Sequence, residues 1–238
     1  MLVYISQKGE GKNLKQIRIK PVILVGGKGI RFGEDKIFLT LKGISVLNRT
    51  YFVLQKVFDE EPLFIGRKAL SFPYNTVPDE IEGIGPMGGL FTALKYADTD
   101  FIFLTACDMP FINEKVLHYM KISLREDTDI YIPHYNDGMI EPLFAFYHKR
   151  IFPFVEKQIE NRDYRLRTLL KSTPDMWIGP ANQDQVSNKN RNRRSTYRVQ
   201  ILNEREIEFI DPELLTFFNI NTRNEFDKAQ GLLEHEVR

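Results

Sequence analysis

The chain has 238 residues and a mass of 27.9 kDa, the size of one large domain or of one domain with an appendage. Its 42% hydrophobic and 27% charged residues exclude wholesale disorder, and 33 basic against 32 acidic side chains leave no overall electrostatic case for nucleic acid or an anionic membrane. The single cysteine, Cys107, excludes an internal disulfide framework and a Cys-rich zinc site, and the four histidines show no metal-ligand spacing.

In chain order, short apolar runs alternate with helical patterns, the mark of an α/β layer fold. Pro21–Val25 reads as a buried strand ended by Gly26-Gly27. Residues 45–58 read as a helix, because Leu47, Tyr51, Leu54 and Phe58 share one face. Leu63–Ile65 and Asn75–Val77 read as short strands, and 86–97 as a helix with Pro86 in its first turn. Phe101–Ala106 is the most strand-like run, followed by a helix capped by Asn113. Asp129–Pro133 and Pro142–Tyr147 follow as strands, then helices over 149–160 and 164–171. The polar, Arg-rich stretch 181–198 reads as a surface loop. Ile207–Ile210 reads as a strand, and Thr222 with Glu225 as the capping box of a last helix. No apolar run approaches the ~20 residues of a membrane-spanning helix, and the first residues lack a secretory pattern. The expectation is a soluble cytoplasmic protein.

Four stretches bear on chemistry. Residues 24–36 follow a strand and hold Gly26, Gly27, Gly29 and Gly33 with Lys28, Arg31 and Lys36. Such a run suits either a polyphosphate cradled by backbone N–H groups or an ordinary Gly-rich turn. Its spacing is neither that of a Walker A loop nor that of the dinucleotide fingerprint. Asp108 stands just past the end of a buried strand, where ligands bind in open α/β sheets. It is either a ligand for Mg²⁺ or the cap of a turn. Asp79, with Gly83, Gly85, Gly88 and Gly89 opening a helix, suits a base or ribose site, with a capped loop as the plain alternative. Asn219 and Asn221 stand two apart at an expected strand end, so both amides would face one side.

The order of these stretches resembles the molybdenum cofactor guanylyltransferases, within the GT-A-like nucleotidyltransferases. The matching runs are Leu24-Val25-Gly26-Gly27, Arg31-Phe32-Gly33, Asp35-Lys36, Asp79 before Gly85-Pro86-Met87-Gly88-Gly89, Cys107-Asp108-Met109-Pro110, Glu141-Pro142-Leu143 and Asn219-Ile220-Asn221-Thr222. Gly66 stands where many members carry Asn. The resemblance implies a three-layer α/β/α Rossmann-like nucleotidyltransferase fold with a mainly parallel mixed sheet. It implies one domain over 20–238, with an extension over 1–19 and a polar insertion over 181–204. The implied reaction is Mg²⁺-dependent transfer of GMP from GTP to the terminal phosphate of molybdopterin. Lys36, Arg31 and Asp108 would be catalytic, with Asp108 holding the metal. Leu24, Gly26, Gly27, Lys36, Asp79, Asp108 and Asn221 would bind nucleotide or cofactor. The Gly26-Gly27 pair favours guanine, where cytidylyltransferases usually carry Ala-Gly. Partners would be GTP, molybdopterin and cofactor-assembly proteins or molybdoenzymes. The alternatives are a nucleotidyltransferase with a cytidylyl donor or a sugar-phosphate or phospholactate acceptor, and a GTP-binding adaptor without turnover.

Overall fold

The structure, a computed structural model, describes residues 17–26, 38–66, 74–171, 176–178 and 197–235. Its centre is an eight-stranded sheet. The strands are β1 (Ile19–Leu24), β4 (Leu63–Ile65), β5 (Thr76–Val77), β6 (Phe101–Ala106), β7 (Ile130–His134), β8 (Phe144–His148), β9 (Met176–Ile178) and β10 (Val199–Asn203), in the spatial order β5-β4-β1-β6-β8-β7-β10-β9. A small hairpin, β2 (Thr40–Leu41) with β3 (Ile44–Ser45), stands apart from it. Every pairing in the large sheet is parallel except those of β8, which runs against both β6 and β7. This is the mainly parallel mixed sheet expected from the sequence.

Alternation along the strands makes the sheet two-faced. Ile23, Phe101, Phe103, Tyr131 and Phe146 point to one core, where helices α1 (Val46–Phe58) and α3 (Glu114–Ser123) pack. Val22, Leu24, Ile102, Leu104 and Tyr147 point to the other, covered by α2 (Pro86–Tyr96), α4 (Phe152–Glu160) and α5 (Leu166–Lys171). Both faces are therefore buried, which is why the central strands read as unbroken apolar runs. A third cluster joins Leu41, Val46 and Ile220 to Phe226, Ala229 and Leu233 of the last helix, α7 (Arg223–His235).

Helix boundaries follow local capping chemistry. Ser45 Oγ accepts the Asn48 N–H at 3.1 Å to open α1, and Asn113 Oδ1 accepts the Lys115 N–H at 2.9 Å to open α3. Glu225 accepts the Thr222 N–H at 2.7 Å and Thr222 accepts the Glu225 N–H at 3.3 Å, the capping box expected for α7.

Four sequence expectations are corrected. Ile207–Ile210 is not a strand but the end of helix α6 (Glu204–Ile210). Asn203 and Glu206 form its capping box, and the apolar run divides into a buried Ile207 and a Phe209 that is 90% exposed. The strand in this region is β10, one step earlier, which lies inside the sheet between β7 and β9. The polar insertion expected to reach residue 204 therefore gives way to the sheet by Val199, and residues 179–196 lie outside the described residues. Third, β8 begins at Phe144, because Pro142 and Leu143 form a turn. Fourth, Asn219 and Asn221 follow a 3-10 turn (Leu215–Phe217) rather than a strand.

Candidate active site

Because seven strands run the same way, their C-terminal ends lie along one edge. Short main-chain bonds hold those ends in a row. Val25 N–H reaches Ile65 O at 2.8 Å, Gly66 N–H reaches Val77 O at 2.9 Å, and Cys107 N–H reaches Leu24 O at 3.2 Å. Above this edge opens a cleft of about 500 Å³. Leu24, Gly26, Asp79, Asp108 and Asn221, all singled out in the sequence, line it together. Gly27, Arg31 and Lys36 lie outside the described residues.

One wall is built by the loop before α2 and by the helix itself. The loop lies close on the first turn: a Cβ on Gly88 would stand 2.7 Å from the main-chain oxygen of Ile81. Thr92 Oγ1 accepts the Glu80 N–H at 3.0 Å and donates to Gly88 O at 2.8 Å, so the loop is bolted to the helix. Gly88 thus serves packing rather than ligand approach, and Gly85 is the glycine that reaches the cleft from this loop. The bolt leaves Asp79 half-buried at the cleft. Burial, and then the nearby Glu82 carboxylate, raise its pKa above the usual aspartate range. Such a carboxylate is stabilised by a ligand that offers N–H or O–H donors.

Gly66, where a relative's Asn was expected, has φ +127°. A Cβ there would stand 3.1 Å from Gly26 N, so the site floor closes against bare backbone.

The centre of the cleft is Asp108. Its main-chain oxygen accepts the Ile220 N–H at 3.0 Å, while Ile220 itself is 1% exposed in the third core. That anchor turns the residues on either side, Asn219 and Asn221, into the cleft beside Asp108. The expected convergence of the two amides therefore occurs, by a buried residue between them rather than by a strand. Asp108 Oδ1 is buried, with two amide side chains on the neighbouring segment. These are hard oxygen donors. Among the described residues no three of His, Cys, Asp and Glu form a metal cage. One carboxylate without a cage fits an ion such as Mg²⁺, which keeps waters and takes substrate phosphate oxygens as ligands. Cys107, next to Asp108, is 3% exposed.

The far wall was not assigned from sequence. Ile140, Glu141, Pro142 and Leu143, from the β7–β8 connection, and Arg167, from α5, line it. Burial lifts the Glu141 carboxyl to about 7, with Arg167 pulling the other way. In the sequence, Glu141-Pro142-Leu143 stood out as a run shared with the resembled family, with no role given to its residues.

A parallel-sheet α/β/α sandwich with this cleft at its strand ends is the fold of the nucleotidyltransferases, and the chain is an enzyme of that class. A family model described as the MobA-like NTP transferase domain matches residues 21–177, more than half of the chain. The chain belongs to that family. It is 27% identical over 216 residues to a molybdenum cofactor guanylyltransferase from Desulfosudis oleivorans, covering 90% of this chain and 95% of the relative. It is 30% identical over 210 residues to one from Syntrophotalea carbinolica, covering 87% and 88%. A crystal structure of molybdopterin-guanine dinucleotide biosynthesis protein A from Archaeoglobus fulgidus superposes with a TM-score of 0.68 at 23% identity, covering 91% of this chain and 99% of that one. Among the described residues, no helix is long and apolar enough to cross a membrane.

Proposed function

We propose that this enzyme transfers GMP from GTP to the terminal phosphate of molybdopterin. The observation that carries this reading is the convergence of Leu24, Gly26, Asp79, Asp108 and Asn221 on one cleft, together with relatives named for that activity. A terminal phosphate oxygen of the acceptor attacks the α-phosphorus of GTP. The new P–O bond forms as the bond to the bridging oxygen breaks, and pyrophosphate leaves. The protein forms no covalent bond, so its work is positioning and charge stabilisation.

Asp79 accepts from guanine or ribose donors. The backbone at Gly26 and Gly27 approaches the nucleotide without side chains in between. Lys36 and Arg31 take the charge that grows on the α-phosphate and the leaving group. Asp108 would hold Mg²⁺, which supplies charge neutralisation at the phosphate oxygens. Asn221 orients the metal-side ligands or the pterin. The enzyme works in the cytoplasm with GTP and molybdopterin, and hands its product to cofactor-assembly proteins or molybdoenzymes.

The test is a thermal-shift panel of nucleotides with and without Mg²⁺, followed by pyrophosphate release with molybdopterin. GTP-selective stabilisation that grows with Mg²⁺ is expected. Selectivity for CTP, or GTP binding with no product from any acceptor, would overturn the reading.

Gly26 gives a sharper check. Among the described residues a Cβ on Gly26 would meet only Gly66 Cα, at 4.0 Å, so alanine fits against the described part of the fold. Its methyl would project where the purine is expected to lie. Gly26→Ala should keep its melting temperature and lose GTP use relative to CTP by roughly 10–200-fold, the range for one misplaced methyl(ene) in a pocket. Steady-state kinetics with both nucleotides measures the ratio.

A further inference from the structure

The far wall of the cleft holds two charged side chains that the nucleotide chemistry leaves unused. Glu141 lies in the β7–β8 connection and Arg167 on α5. Among the described residues no ion pair joins them. The Glu141 carboxylate accepts no hydrogen bond there, and Arg167 donates only to Met139 Sδ, at 3.3 Å.

Both are nonetheless built into the frame. Glu141 N–H donates to Pro133 O at 3.2 Å, and Glu141 O accepts the Phe144 N–H at 3.0 Å. The Tyr147 hydroxyl, from a side chain that is 2% exposed, donates to Pro142 O at 2.7 Å. A bridge between His134 and Ile140 closes the connection. Leu166 and Leu169 bury the other face of α5 and so leave Arg167 toward the cleft. Ile140, Pro142 and Leu143 add apolar surface to the same cleft.

An acid and a base held unpaired on an apolar wall match a ligand that brings a flat ring, a phosphate and adjacent N–H donors. A 2-amino-4-oxopyrimidine edge offers a ring N–H and an amino group side by side, the pair that one carboxylate accepts. A guanidinium answers the phosphate. We propose that Glu141 and Arg167 form the acceptor seat, Glu141 selecting the amino-pyrimidinone edge of the acceptor and Arg167 neutralising its phosphate. This rests on the pterin-acceptor reading above and assigns the residues that read the acceptor. The under-solvated state of the Glu141 carboxyl accords with it, because a ligand with two donors supplies what burial has removed.

The test uses the full chain with Mg²⁺ and a non-reacting α,β-methylene analogue of GTP. Two probes are titrated: a 6-phosphooxymethyl pterin, and its 2,4-dioxo counterpart, which keeps the ring and phosphate but replaces the amino donor by a carbonyl. The unaltered enzyme should prefer the pterin by at least ~10-fold, the scale of a lost hydrogen bond that leaves a buried charge unpaired. Glu141→Gln should erase the preference and leave binding of the GTP analogue unchanged. Arg167→Met should weaken both probes about equally. A preference that survives Glu141→Gln overturns the proposal. So does loss of GTP-analogue binding in that variant, which would give Glu141 to guanine instead. An unaltered enzyme that binds the GTP analogue but neither probe would overturn the acceptor reading itself.

Discussion

Asp108→Ala should lower pyrophosphate release at least ~100-fold while the protein still folds, the scale of removing one transition-state charge contact. The fold is kept because main-chain bonds and the burial of its neighbours hold this turn. The Ile220 N–H bonds to the main-chain oxygen of Asp108, Thr50 Oγ1 donates to Met109 O at 3.1 Å, and Cys107 and Met109 carry the burial on either side. The same substitution should abolish the Mg²⁺-dependent part of GTP stabilisation. Asp108→Asn keeps size and loses charge, so it separates a metal-holding role from a packing one. Normal turnover in the alanine variant, in a coupled pyrophosphate assay, would remove Asp108 from the reaction.

The second large effect is on stability. Alanine at Gly88 would bring a methyl to 2.7 Å from Ile81 O and 3.1 Å from Ile84 Cγ1. A main-chain oxygen cannot turn aside as a side-chain tip can, so the whole 79–85 loop must lift from α2. The expected cost is ~1–3 kcal/mol, the range for overpacking a filled site. For a chain of this size ~2 kcal/mol lowers the melting temperature by roughly 4–8 °C. The lifted loop carries Asp79, so KM for GTP should rise with it. Thermal denaturation together with GTP kinetics checks both; an unshifted melting temperature would contradict the close packing.

The half of the cleft around Leu24, Gly26 and Asp108 was legible in the sequence for physical reasons. Buried parallel strands must be continuous apolar runs, and their ends must be marked by turn residues, so Leu24, Gly26 and Asp108 could be placed at the strand edge by pattern alone. Helix α1 announced itself through face periodicity and α3 through Asn113 at its start. The other half was hidden. A strand that reverses direction has the same composition as one that does not, so nothing in Phe144–His148 marked β8 as antiparallel. Without that reversal, Glu141 could not be placed beside Asp108. Ile207–Ile210 was read from its apolar run alone, whereas the capping pair Asn203 and Glu206 decided the outcome. Asn219 and Asn221 converge as expected, but their convergence depends on Ile220 docking in a core with Leu41 and Val46 from the far end of the chain, a contact no local pattern encodes.

The reversal of β8 has a consequence for how the cleft is built. Thr105 of β6 faces Phe144 in register, so residues 135–143 arrive at the catalytic edge as a β-turn arm instead of a crossover helix. Such an arm can be lengthened, shortened or rewritten without disturbing the parallel strands beside it. On the proposed function, the same strand-end framework would serve different acceptors, with the arm as the exchangeable module.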